Sequence, residues 1–109
     1  MIRAVYDPQK MHLRIWGHAG SAPRGQDLIC AGVSALALGL QESLEQLNRE
    51  GCLQEKKIRI EVGEACFSCK ALTGEAERVR GCFETVFWGL YALQRAFPER
   101  IWTQRGGNG

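Results

Sequence analysis

Residues 27–51 read DLICAGVSALALGLQESLEQLNREG, and this stretch decides the fold. Val33, Leu36, Leu40, Leu44 and Leu47 recur three or four residues apart, so they share one stripe of a helix running from about 27 to 50. Gly51 follows the last periodic residue, where a C-terminal cap falls. From Leu28 to Leu40 the helix is apolar on nearly every side, whereas Glu42, Glu45, Gln46 and Arg49 give its second half a polar face. The N-terminal half is therefore expected to be the more deeply buried.

Working outward, residues 2–7 and 11–17 carry Ile2, Val5, Tyr6, Leu13, Ile15 and Trp16 on either side of Asp7-Pro8-Gln9-Lys10, which reads as a β-hairpin. Downstream, Lys57 to Val62 alternates charged and apolar residues, and Ala65 to Leu72 follows the turn signal Gly63-Glu64, which suggests a second hairpin. Helical spacing returns over 75–97 through Val79, Phe83, Val86, Leu90, Leu93 and Phe97 until Pro98 stops it, with Thr73 or Gly74 as the expected cap. Ile101-Trp102-Thr103 can add a short terminal strand. The expected fold is an α/β chain of the α+β type: a small single-domain sandwich in ββαββα order, with a mixed or antiparallel sheet and two long helices. Residues 1–104 form the domain and 105–109 a flexible tail.

Composition narrows the function. The 109 residues are 45% hydrophobic and 24% charged, which fits one globular domain with a real core. Fourteen Lys and Arg against twelve Asp and Glu leave a formal charge of +2, interleaved along the chain, so direct nucleic-acid binding gains no support. The opening Met1-Ile2-Arg3-Ala4-Val5-Tyr6-Asp7 lacks a signal-peptide layout, and no apolar run approaches the roughly 18 to 20 residues of a bilayer span. A cytoplasmic protein without membrane attachment is expected. Five cysteines, an odd number, then point to reduced thiols of which one is free for chemistry.

Cys30 is the candidate for that thiol, against the alternative that it is an ordinary packing cysteine, a small hydrophobe in the core. Asp27 stands just before the periodic residues, so its carboxylate can cap the helix, which makes Cys30 the third helical residue. The positive end of the helix dipole favours a thiolate there and is expected to lower the Cys30 pKa. His18 lies twelve residues upstream at the end of the second strand. Between them the segment 17–25, with Gly17, Gly20, Gly25 and Pro23, reads as a mobile loop with glycine hinges, long enough to fold back and bring imidazole to sulfur. The imidazole would take the thiol proton and later return it to a leaving amine, while a third group fixes its tautomer. Asp27 is the nearest carboxylate for that role, in competition with capping. Ser34, one turn after Cys30, either holds a water or a substrate carbonyl or simply permits close packing. Trp16, beside His18, either lines a substrate groove or fills the core.

Taken together, Gly17-His18-Ala19 and Gly25-Gln26-Asp27-Leu28-Ile29-Cys30-Ala31-Gly32-Val33-Ser34-Ala35 closely resemble the signature of the ribosomal-processing cysteine protease family, Prp. Chain length, the opening hairpin, the two long helices and the Phe97-Pro98 region look like that family as well. The resemblance implies a cytoplasmic bacterial endopeptidase that removes the N-terminal extension of a large-subunit ribosomal protein, cutting after a pair of phenylalanines. It also implies a homodimer whose loop covers the site until substrate orders it. Cys30 matches the family's nucleophile, His18 its general base and Asp27 a recurrent acidic position. Gly32 departs from the family's usual alanine, and Ser21-Ala22-Pro23-Arg24 from its usual loop. No metal or organic cofactor is expected.

Two rivals remain. A non-catalytic, ribosome-associated peptide-binding module would use the same loop to grip a peptide without cutting it. Cys66-Phe67-Ser68-Cys69 has C-x-x-C spacing, and Cys52 and Cys82 nominally complete four zinc ligands. Residues three apart on a strand point to opposite faces, so a strand reading of 65–72 argues against zinc.

Overall fold

Strand β1 (Ile2–Asp7) turns Ile2, Ala4 and Tyr6 to the core, and β2 (His12–Gly17) does the same with Leu13 and Ile15. Asp7 shapes the turn between them: its Oδ1 accepts from the N–H of Gln9 at 3.0 Å and of Lys10 at 3.2 Å. That side chain mimics a backbone turn and fixes the hairpin register. Helix α1 (Leu28–Arg49), strands β3 (Leu53–Glu61) and β4 (Glu64–Ala71), helix α2 (Ala76–Ala96) and β5 (Ile101–Arg105) follow. The computed structural model describes residues 1–18 and 28–106; the loop glycines Gly20 and Gly25 and Asp27, expected to cap α1 or orient His18, lie outside the described residues.

Among the described residues the sheet has five strands in the order β3-β4-β2-β1-β5. All neighbours are antiparallel except β1 and β5, whose parallel pairing makes the sheet mixed. The architecture is the expected small α+β sandwich, with β5 as the terminal strand. β5 continues through Arg105, into the segment expected to fray, and the Gly106 N–H donates to the Tyr6 carbonyl at 2.8 Å. Two ties seat this strand on α2: Gln94 Oε1 accepts from the Thr103 N–H at 2.7 Å, and Arg105 pairs with Glu84.

Both helices end where their sequence says they must. At the end of α1 the Cys52 N–H donates to the Leu47 carbonyl at 3.0 Å and the Gly51 N–H to the Asn48 carbonyl at 3.1 Å, with Gly51 at φ +77°. This is a Schellman cap, in which a left-handed residue satisfies the last carbonyls. α2 begins one residue later than a Gly74 cap and two later than a Thr73 cap would set it: Glu75 occupies the cap position, with no side-chain bond.

One core joins the two layers. Leu40 and Leu44 of α1, Val79, Phe83 and Leu90 of α2, and Tyr6, Leu13, Phe67 and Ile101 of the sheet are fully buried. The Tyr6 ring stacks on Phe83 at 5.9 Å between centroids. Its hydroxyl is buried without a hydrogen-bond partner, and that burial pushes its pKa up to about 12.

α1 departs from two expectations. Its N-terminal half is not the more buried one, since Leu28 is 81% and Leu38 53% exposed. Apolar residues surround that half, but only the face built on Ile29, Val33, Ala37 and Leu40, with Cys30, Gly32 and Leu36 along its margin, packs against the rest of the fold. Secondly, α1 is long and apolar enough, by length and composition alone, to cross a membrane, a test that the core helix of a globular protein also passes. Glycine and serine interrupt its apolar residues while barely lowering their average hydropathy. In the fold the stripe from Ile29 to Leu47 belongs to the core.

Candidate active site

At one end of the sheet β1 starts, β2 finishes and the β3–β4 turn reverses the chain, and the first turns of α1 close over this corner. The space between them is a cavity of about 310 Å³. Ile2, Ile15, Val33, Ala37, Ile60 and Ala65 make its apolar surface, and Cys30, Ser34, His18 and Trp16 all lie on its wall. Four of the residues singled out from the sequence therefore meet in one place. Gly17 joins them as the last residue of β2, paired with Ile2.

Cys30 is the third residue of α1, as the helix spacing requires, and it is half-buried. The positive end of the α1 dipole lies beside its sulfur. Ser34 stands one turn further along and is exposed. His18 leaves β2 immediately after Gly17 and is exposed at the mouth of the cavity. Gly17 has φ +101°, and a Cβ there would sit 2.3 Å from the Met1 carbonyl oxygen. No side chain fits at that position, so the backbone is free to turn sharply just before the imidazole.

The third wall was not foreseen. Ile60, Glu61, Gly63 and Glu64, at the tip of the β3–β4 hairpin, face the same cavity. They arrive through long-range pairing: β4 lies antiparallel to β2 with Trp16 opposite Glu64, and the Gly17 N–H donates to the Gly63 carbonyl at 3.0 Å. In sequence the only signal was the turn dipeptide Gly63-Glu64, which says where the chain reverses but not which strand it reverses against.

Charge on this wall is mostly compensated. Arg14 bonds Glu64 at 2.6 Å and holds its carboxyl below the ordinary carboxylate range, and Arg59 adds a second contact at 3.3 Å. The same Arg14 guanidinium lies 4.2 Å over the Trp16 ring, fixing its position by a cation–π contact. Glu61 is bound more loosely, 3.9 Å from Arg59, and remains 60% exposed.

The remaining cysteines lie elsewhere. Cys69 is buried under the sheet, and burial pushes its thiol up to about 11. Burial likewise raises the thiols of Cys52 and Cys82. Cys66 points to the opposite face of β4 from Cys69, where its sulfur lies 3.8 Å from Glu64. The strand separates the C-x-x-C pair, as its pleat dictates. Among the described residues no three His, Cys, Asp or Glu side chains gather as a metal site.

An apolar cavity lined by both a helix-start thiol and an imidazole suits the chemistry of a cysteine peptidase. Solved structures share the fold. The Streptococcus mutans protein SMU.848 is 27% identical, with a TM-score of 0.71 over 97% of this chain and 94% of that one. The Staphylococcus aureus ribosomal processing protease Prp, crystallised with a covalently linked product peptide, gives a TM-score of 0.73 at 18% identity over 95% of this chain and 96% of that one. The same enzyme with a substrate peptide gives 0.68 at 17% identity, with the same coverage. The profile of the family described as cysteine protease Prp matches residues 1–102, and the chain belongs to that family. Among curated proteins no sequence match is found.

Proposed function

We propose that this cysteine protease removes the N-terminal extension of a large-subunit ribosomal protein, with Cys30 as nucleophile and His18 as general base. One observation carries the reading: His18 and Cys30, twelve residues apart and on different elements, line the same apolar cavity. Membership of the Prp family and the peptide complexes of the staphylococcal relative support it. In this reading the enzyme works in the cytoplasm as a homodimer, and Asp27 either orients His18 or caps α1.

The chemistry follows from the two groups. His18 takes the Cys30 proton, and the thiolate sulfur attacks the scissile carbonyl carbon. The electron pair moves to oxygen, where the positive end of α1 stabilises the charge. When the carbonyl re-forms, the C–N bond breaks and the imidazolium gives its proton to the departing amine, leaving a thioester on Cys30. Water then attacks the thioester, His18 accepts its proton, and the acid product leaves as the thiolate returns. Ile15, Val33, Ile60 and Ala65 make the cavity a receptor for an apolar side chain next to the cut, consistent with cleavage after an aromatic pair.

The test is a peptide spanning the extension junction of that ribosomal protein from the same organism, incubated with the protein and with Cys30→Ala, and products read by mass. Cleavage after the aromatic pair by the parent alone is the expected result. A peptide that binds but stays intact with the parent would establish a binding module instead.

A further inference from the structure

We propose that the tip of the β3–β4 hairpin, through Gly63, is the seat of the His18 imidazole and so sets the geometry of the general base. Two independent contacts carry this. The Gly17 N–H donates to the Gly63 carbonyl at 3.0 Å, which ties the backbone just before His18 to the turn. From the other side the imidazole lies against the Gly63 α-carbon: a Cβ built there would be 3.3 Å from His18 Nε2 and 3.5 Å from Cε1. Only a residue without a side chain leaves the ring where it is.

The positioning argument rests on reading His18 as the general base. His18 is otherwise exposed, so little else on the described chain restrains its ring. A methyl group at 63 would move it by a few tenths of an ångström. Displacement of that order in a proton-transfer group costs about three- to tenfold in rate, since a misplacement of about 1 Å costs about a hundredfold. Gly63 is thus a positioning residue that acts through His18, contributed by a hairpin remote in sequence from the segment that holds His18 and Cys30.

The fold supplies its own controls. Gly63 has φ +81°, a conformation that strains any side chain, but Gly51 at +77° and Gly74 at +89° carry the same strain with nothing within 4 Å of a built Cβ. The three alanine variants therefore share a backbone effect, and only Gly63→Ala touches the imidazole. On the junction peptide, Gly63→Ala is expected to lower kcat about three- to tenfold at unchanged KM, while Gly51→Ala and Gly74→Ala keep the parent kcat. All three should lose comparable thermal stability. In the parent protein, NMR should show a nuclear Overhauser contact between the His18 Cε1 proton and a Gly63 α-proton, a readout that needs no variant to fold. Equal kcat in Gly63→Ala and Gly51→Ala, a rise in KM alone, or absence of that contact would overturn the proposal while leaving the Cys30 chemistry standing. Full activity in His18→Ala would instead remove the reading on which it rests.

Discussion

The two helices are near twins that ended with different tasks. α1 has 22 residues and α2 has 21, both lie on the same core, and each carries a cysteine near its start. Cys30 is the third residue of α1 and opens on the cavity that His18 also lines. Cys82 is the seventh of α2, packed against the core, where burial raises its thiol. A helix dipole acts within the first turn and fades beyond it. Under the proposed assignment, what separates the nucleophilic thiol from the packing one is therefore a difference of one turn, together with what lies in front of the sulfur.

The largest expected effect follows directly. Cys30→Ala should lower peptide cleavage by about a thousandfold or more, because the covalent step has no substitute nucleophile. Cys82→Ala should keep the parent rate within about twofold and instead lose about 1 to 2 kcal/mol of stability, the consequence of a small cavity against the core. Comparable loss of activity in the two variants, measured at matched folded fraction, would break the comparison.

Labelling sharpens it. With limiting iodoacetamide at neutral pH, Cys30 should be modified well before Cys82, Cys52 and Cys69, whose burial both shields the sulfur and holds it as the thiol. Peptide mapping after a time course reads the order. Equal labelling of Cys30 and Cys82 would mean that the cavity gives the α1 thiol no advantage.

The core under α2 also sets an alkaline limit. Tyr6 against Phe83 ionises only near 12 and Cys69 only near 11, above their ordinary values of 10.0 and 9.0. Because the folded state holds these protons more tightly than the unfolded chain, the resulting stability is complete below pH 9 and is lost as pH rises through 11 and 12. Unfolding followed by circular dichroism should therefore show stability falling across this window. Tyr6→Phe removes one of the two groups together with a hydroxyl that has no partner, so it should shift the alkaline midpoint upward at little cost near pH 7. An unchanged midpoint would mean that Tyr6 plays no part in the alkaline transition.

The same contrast explains what the sequence disclosed. Both helices, the opening hairpin and the Gly51 cap were legible because their signals are local: a spacing, a turn dipeptide, a glycine after a periodic run. Cys30 at the third helical position follows from that local frame, and the shared cavity wall with His18 fits it. The β3–β4 tip was not legible as part of the site. Its place beside His18 depends on β4 pairing with β2, and the alternation of Ala65, Phe67 and Cys69 specifies a buried face without naming a neighbour strand. The expected deep burial of the first half of α1 failed for a related reason. Leu28 and Leu38 are apolar, but a helix can bury only the stripe that meets its partners, and the corner beside them opens into the cavity.

The smallest expected effect lies where the helices cross. Gly32 of α1 faces Leu93, and Gly89 of α2 faces Leu36, so each helix contributes a glycine to the other's leucine. The clearances differ. A Cβ at Gly32 would meet Leu93 Cδ1 at 3.4 Å, an ordinary contact, whereas one at Gly89 would lie 2.7 Å from Leu36 Cδ2 and 3.1 Å from Cδ1. Gly32→Ala should therefore stabilise the protein by about 0.5 to 1 kcal/mol, the usual gain of alanine over glycine inside a helix. Gly89→Ala gains the same propensity, but it pushes the Leu36 side chain into packed surroundings, where overpacking costs about 1 to 3 kcal/mol. The net loss is about 1 kcal/mol, and urea denaturation of the two variants should give shifts of opposite sign. Shifts of the same sign would mean that the helices re-space freely at their crossing, and that the α1 frame holding Cys30 is not fixed by its contact with α2.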